Sequence, residues 1–224
     1  MNKLYVVGGS SKIAESIERL SAGNFSSVFL GRSNPSKLKN YIQYDGINNE
    51  ESVDELDNLI STDLKQSDNL ETVGLIILAG VSTNDWRESY LVNEYLPAKL
   101  SESFAKRVSN LGIENCSIIL ISSSAAYQGS KLSYATTKAS LTGILHTIAK
   151  DYKNRVRINI ILPSAFDSGM IADWDESKRN IVAGNNLIGR LGTADDMTDA
   201  ILFAIRNRFI TNSIINMTGG TILI

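Results

Sequence analysis

The chain has 224 residues, 22 basic and 24 acidic, for a net charge of -2, and 43% of it is hydrophobic. That suffices to bury the core of one domain or one larger α/β unit, and the near-zero balance argues against a nucleic-acid binder with a basic face. One cysteine, Cys116, and one histidine, His146, exclude an internal disulfide and a closed Cys/His zinc site. No metal site is expected, and chemistry falls to carboxylates, hydroxyls, lysines or a borrowed cofactor.

In chain order, short apolar runs alternate with helical patterns. Leu4–Val7 reads as a strand ending at Gly8, and Lys12–Ser21 has helical spacing. Ser27–Leu30 and Tyr41–Tyr44 are strands stopped by Gly31 and by Asp45-Gly46. Val53, Leu56, Leu59, Ile60 and Leu64 give a helical face. Val73–Leu78 and Ser117–Ile121 are strands apolar enough to be buried on both faces. Residues 85–109 predict a long helix with Pro97 as a candidate kink. Tyr134–Tyr152 is a helix, Arg157–Leu162 a strand ended by Pro163, Ala194–Arg206 a helix and Ser213–Met217 a last strand. Residues 165–190 read as irregular and polar, and a loop of that length predicts a functional lid, here a candidate substrate lid, or a partly disordered segment. The pattern predicts a single α/β domain over residues 1–224: a doubly wound sheet of seven mainly parallel strands with helices on both faces. No secretory leader and no apolar run of ~20 residues is apparent, so a cytoplasmic protein with no membrane partner is expected.

The first strand runs into Gly8-Gly9-Ser10-Ser11-Lys12-Ile13-Ala14. A glycine turn here is where doubly wound folds hold a dinucleotide, with the pyrophosphate at the helix N-terminus. Ser10 and Ser11 offer hydroxyl donors and Lys12 a cation; the same residues also read as an ordinary strand–helix turn. The second strand ends at Arg32-Ser33 with no acid nearby, a pattern suited to the 2′-phosphate of NADP. Arg32 also reads as a solvated surface residue.

Tyr134 and Lys138 are four residues apart and share a helix face. An ammonium nearby lowers a phenol's pKa, which would make Tyr134 an acid or base near neutrality. Tyr-x-x-x-Lys is common as surface decoration. Here it follows a buried strand and the serine cluster Ser122-Ser123-Ser124.

At these residues the chain resembles the short-chain dehydrogenase/reductase family in its compact form, a Rossmann-type fold. Ser123 matches the family's catalytic serine, with Ser122 one step off register, and Tyr134 and Lys138 match its Tyr-x-x-x-Lys pair. Asn93 matches the helix asparagine that supports a proton-relay water. The resemblance implies catalytic roles for Asn93, Ser123, Tyr134 and Lys138. Ser123 would hold a carbonyl oxygen, Tyr134 would give it a proton, and Lys138 would tune Tyr134 and bind nicotinamide ribose. It implies cofactor contacts at Gly8, Ser10, Ser11, Lys12, Ile13, Arg32, Ser33, Asp45, Ala79, Gly80, Tyr134, Lys138, Pro163 and Ser168. The implied function is NADPH-dependent reduction of a ketone to an alcohol, or the reverse, by a homodimer or homotetramer acting on a small molecule.

The family's three-glycine turn keeps only Gly8 in register, with Lys12 and Ala14 at the other two positions. Lys12 is the graver change, since glycine better tolerates a positive φ and close approach. This departure leaves open a non-catalytic dinucleotide-binding sensor or scaffold. A sugar-nucleotide epimerase or dehydratase is disfavoured, since those extended relatives carry a substantial C-terminal substrate domain and 224 residues leave little for one, and a serine hydrolase would depend on His146. Met170, Ile171 and Trp174 are the apolar lid candidates, with Ala125, Tyr127 and Gln128 nearby. His146 reads as a surface or subunit-contact residue and Cys116 as a small core hydrophobe.

Overall fold

The computed structural model describes residues 1–167, 171 and 173–222. Among them, the first half runs β1 (Asn2–Val7), α1 (Lys12–Ser21), β2 (Ser26–Gly31), β3 (Tyr41–Gln43), α2 (Glu50–Lys65), β4 (Thr72–Ile77), α3 (Trp86–Tyr90) and α4 (Leu96–Asn110). The second half runs β5 (Asn115–Ile121), α5 (Ala125–Gln128), α6 (Leu132–Asp151), β6 (Val156–Pro163), α7 (Glu176–Asn185), α8 (Ala194–Arg206) and β7 (Ser213–Met217). The seven strands form one parallel sheet in the order β3-β2-β1-β4-β5-β6-β7. The chain builds outward from β1 to one edge, then returns to β4 and builds to the other. That reversal opens a crevice at the carboxyl ends of β1 and β4, where such sheets bind ligands.

Period-two alternation divides the core into two layers. Tyr5, Val7, Leu75, Ile118 and Ile158 face α2, α4 and α6. Leu4, Val6, Ile76, Ile119 and Ile161 face α1 and α8 on the opposite side. Both faces of the central strands are therefore dry, which is why their sequences are apolar at consecutive positions.

Two expectations need correction. Residues 165–190 are not wholly irregular, because α7 occupies Glu176–Asn185. It is started by Asp175, whose side chain accepts from the Lys178 N–H at 2.7 Å. None of its residues is buried, so no apolar stripe marks it in the sequence. The break in the 85–109 helix is a π-helical turn over Leu91–Tyr95, and Pro97 lies just beyond it in the first turn of α4. Pro97 has no N–H to give the Asn93 carbonyl four residues back. The ladder widens instead, with the Leu96 N–H bonding the Leu91 carbonyl.

Arg157 of β6 closes the end of α8. Its Nη1 donates to the carbonyls of Ala204, Asn207 and Ile210 at 2.8, 3.1 and 3.1 Å, and its Nη2 to that of Ile205 at 2.7 Å. A cation here satisfies carbonyls that a helix C-terminus leaves open and opposes its dipole. Arg157→Met is expected to destabilise the fold by about 2–4 kcal/mol. The check is a lower urea midpoint at unchanged slope.

Candidate active site

The β1–α1 turn sits directly over the reversal point. Gly8 has φ of +99°, and a Cβ there would lie 2.7 Å from the Ala79 nitrogen. The Leu78 and Ala79 N–H groups both bond the Val7 carbonyl, at 2.8 and 3.1 Å, so the turn and the segment after β4 meet backbone to backbone. Ser11 caps α1, its hydroxyl accepting from the Ala14 N–H at 3.1 Å. The helix N-terminus thus faces a cradle that glycine keeps open, and a dinucleotide pyrophosphate fits it. Ile13 is half-buried behind the turn and packs on the α1–α8 side of the core.

Lys12 is the first residue of α1 and is not among the residues with positive φ. The expected backbone penalty for losing glycine there is absent, because Lys12 takes an ordinary helical conformation. Its Nζ lies 3.9 Å from the Asp167 carboxylate. Ser10 also departs from expectation. Its hydroxyl donates to the Ser33 carbonyl at 2.7 Å, to which the Tyr41 hydroxyl donates as well. Ser10 therefore ties the phosphate turn to the loop after β2. The sequence marks Tyr41 only as the start of a strand, not as a partner of this turn. The glycine at position 31 makes room for it, since a Cβ there would collide with its hydroxyl. On this loop Arg32 is exposed, with its stem 3.2 Å from where a Gly46 Cβ would be, beside Asp45.

The four catalytic candidates come from three segments: the π-helical turn, the end of β5 and α6. Asn93, fully buried in the π-helical turn, accepts from the Val81 N–H and donates to the Val81 carbonyl, both at 2.9 Å. Its amide also reaches the Thr137 hydroxyl at 3.4 Å. Gly80 lies between Asn93 and Lys138: a Cβ there would be 3.1 Å from Lys138 Nζ and 3.4 Å from Asn93 Oδ1. Lys138 is 4% exposed, and its ammonium donates to the Ile121 carbonyl at 2.9 Å. The two serines separate by partner. The Ser122 hydroxyl donates to the Lys138 carbonyl at 3.0 Å, while that of Ser123 faces Tyr134. The Pro163 carbonyl, at the end of β6, accepts from the Ser124 N–H at 2.7 Å and holds this segment in place.

Electrostatics differ from the sequence expectation. Burial pushes the Tyr134 phenol above its ordinary value, and the hydrogen bond with Ser123 acts the other way. The Lys138 ammonium is bonded to the Ile121 carbonyl. The same burial pushes Lys138 down to about 8. Buried Cys116 is pushed up to about 12, also by burial, which leaves its thiol protonated and inert. His146 is exposed and pairs with Asn212 at 2.7 Å. Ser168 and Met170 lie outside the described residues. Ile171 is buried, and Trp174 is half-buried with the Lys178 ammonium 4.3 Å from its ring centre. Tyr127 lines, with Ser122, Ala139, Thr142 and Ile160, a cavity of about 130 Å³ behind α5.

No helix among the described residues is long and apolar enough to cross a membrane. Residues 48–221 match the family described as Enoyl-(Acyl carrier protein) reductase. The chain is 29% identical to tropinone reductase-like 3 of Erythroxylum coca over 175 residues, 73% of this chain and 67% of that protein. It is 27% identical to the 3-oxoacyl-(acyl-carrier-protein) reductase FabG of Thermotoga maritima over 114 residues, 49% of this chain and 46% of that one. It thus spans about two thirds of the first relative and about half of the second. Among solved structures, 4-hydroxyisoleucine dehydrogenase complexed with NADH superposes with a TM-score of 0.85 at 22% identity, covering 99% of this chain and 98% of that one. ElxO with NADP bound gives 0.83 at 18% identity, covering 98% of each. These two establish the fold, and the match over residues 48–221 establishes the lineage. The seven-stranded parallel sheet accords with that fold, and with residues 48–221 matched this chain belongs to the short-chain dehydrogenase/reductase family.

Proposed function

We propose that the protein is an NADP(H)-dependent carbonyl reductase, interconverting a small ketone and its alcohol. The observation that carries this reading is the division of labour at the end of β5. The Ser122 hydroxyl is turned onto the Lys138 backbone, which leaves Ser123 as the serine hydrogen-bonded with the Tyr134 phenol. When bound, the nicotinamide supplies or accepts the hydride. The chain's own residues do the rest. Gly8, Ser11, Lys12 and Ala79 hold the pyrophosphate end. Gly80 leaves space beside Lys138, whose ammonium is placed for a ribose hydroxyl. Ser123 donates a hydrogen bond to the carbonyl oxygen, and Tyr134, kept protonated by burial, donates the proton. Asn93 is a positioning residue, since its amide is committed to Val81 and Thr137. Ser168 remains a proposed nicotinamide contact, and the 165–190 segment the proposed cover of the substrate. The unpaired cysteine supports a reducing, cytoplasmic setting, and a homo-oligomer is expected.

Arg32 supports NADP over NAD. It is exposed on a loop that Ser10 and Tyr41 tie to the phosphate turn, with Ser33 beside it. A planar guanidinium suits a phosphate monoester. Arg32→Asp is expected to weaken NADPH by at least about 10-fold and leave NADH nearly unchanged. Fluorescence titration of both nucleotides checks it. An unchanged NADPH preference removes Arg32 from the cofactor assignment.

A further inference from the structure

The lysine that stands in the glycine turn has a partner of its own. Asp167 follows β6 and is fixed by its backbone, its N–H donating to the Gly192 carbonyl at 2.8 Å. One carboxylate oxygen accepts from Arg179 Nη1 at 2.8 Å, and the other lies 3.9 Å from Lys12 Nζ. Arg179 is itself anchored, its Nε donating to the Trp174 carbonyl at 3.2 Å and its Nη2 to the Ile171 carbonyl at 2.8 Å. A single carboxylate therefore bridges a cation on the phosphate turn and a cation on α7. Arg179 and then Lys12 hold its pKa below the usual carboxylate range, so it is an anion at neutral pH.

We propose that Asp167 competes with the dinucleotide's pyrophosphate for Lys12, so that the free protein carries its own anion at the phosphate turn. The inference rests on the dinucleotide reading of that turn. The pyrophosphate brings negative charge to the α1 N-terminus, where Lys12 is the nearest lysine in sequence. Binding then moves Lys12 from Asp167 to phosphate and leaves Asp167 to Arg179. Asp167 weakens nucleotide binding twice over, by withholding Lys12 and by like-charge repulsion. The effect is modest, because the side chains of Lys12 and Asp167 are 61% and 50% exposed and water screens them.

The test is a fluorescence titration of NADPH at low and high ionic strength with wild type, Lys12→Ala, Asp167→Asn and the double variant. Thermal melting checks that each is folded. Asp167→Asn is expected to bind about 2–5-fold more tightly than wild type at low salt. Lys12→Ala is expected to cost more in the Asp167→Asn background, where the lysine is free for phosphate, than in wild type. Both differences shrink at high salt. Arg179→Gln leaves Asp167 with one cation fewer, so it should hold Lys12 more firmly and weaken binding. Asp167→Asn binding no more tightly, or equal costs of Lys12→Ala in both backgrounds, overturns the competition. Either result with intact nucleotide binding leaves the functional reading standing. A wild type that binds neither NADPH nor NADH overturns both.

Discussion

Tyr134→Phe is expected to lower the rate of ketone reduction by about 10²–10⁴-fold, the range for removing a positioned proton donor. The change deletes one hydroxyl and keeps the ring, which is 9% exposed in the folded chain. Folding and NADPH binding should survive. Burial raises the phenol's pKa, so Tyr134 enters the reductive reaction already protonated. Reduction should therefore be flat across neutral pH, while alcohol oxidation, which needs the phenolate, climbs as pH rises. Stopped assays in both directions with wild type and variant give the comparison. Undiminished turnover by folded Tyr134→Phe contradicts the assigned role.

Lys138→Met should separate function from stability. Activity is expected to fall by about 10²–10³-fold, as for loss of a preorganised charged donor. Stability should change little or rise. The folded chain holds Lys138 at about 8, against an ordinary value of 10.5. Below about pH 8 both folded and unfolded chains carry the proton, and the full burial penalty stands. Between about 8 and 10.5 the unfolded chain binds more protons, so wild-type stability rises with pH through this window. The shift corresponds to a gain of about 3 kcal/mol at most when the charge is removed. The unpaired Ile121 carbonyl offsets about 1–3 kcal/mol of that. Urea denaturation of both proteins from neutral to alkaline pH tests the sign. The wild-type midpoint should climb relative to the variant's, and a parallel pair of curves rules out a buried, charged Lys138.

The parallel strands were legible because burial on both faces leaves an unmistakable record. Val73 to Ile77 and Ile118 to Ile121 are apolar whichever way they point. Helix α8 was legible over Ala194–Arg206, and the structure adds the capping box that starts it at Thr193. Helix α7 left no such record, since it buries none of its residues and is held by the polar contacts of Asp175 and Arg179. The π-helical turn was misassigned to a kink because the sequence displays Pro97 but not the carbonyl it deprives. At the site, the family resemblance singled out Ser123 with Tyr134 and Lys138, whereas the direction of each side chain was hidden. Spacing puts Tyr134 and Lys138 on one helix face, yet the Ile121 carbonyl decides where the ammonium goes. Replacement of a turn glycine by Lys12 looked damaging until the backbone put that residue in an ordinary helical conformation. Tyr41 was overlooked because its contact with Ser10 and Ser33 joins positions 8 to 31 residues apart.

The central claim is that this chain transfers hydride to a carbonyl and does more than bind a nucleotide. Its most direct test supplies NADPH deuterated at the transferable nicotinamide position to wild type and Tyr134→Phe with a panel of ketones. The alcohol product is then read by mass spectrometry. The account predicts one deuterium in the alcohol for each NADPH consumed by the wild type, and a rate lower by orders of magnitude in the variant. Saturable NADPH binding with no labelled alcohol from any ketone would contradict it and point to a dinucleotide sensor.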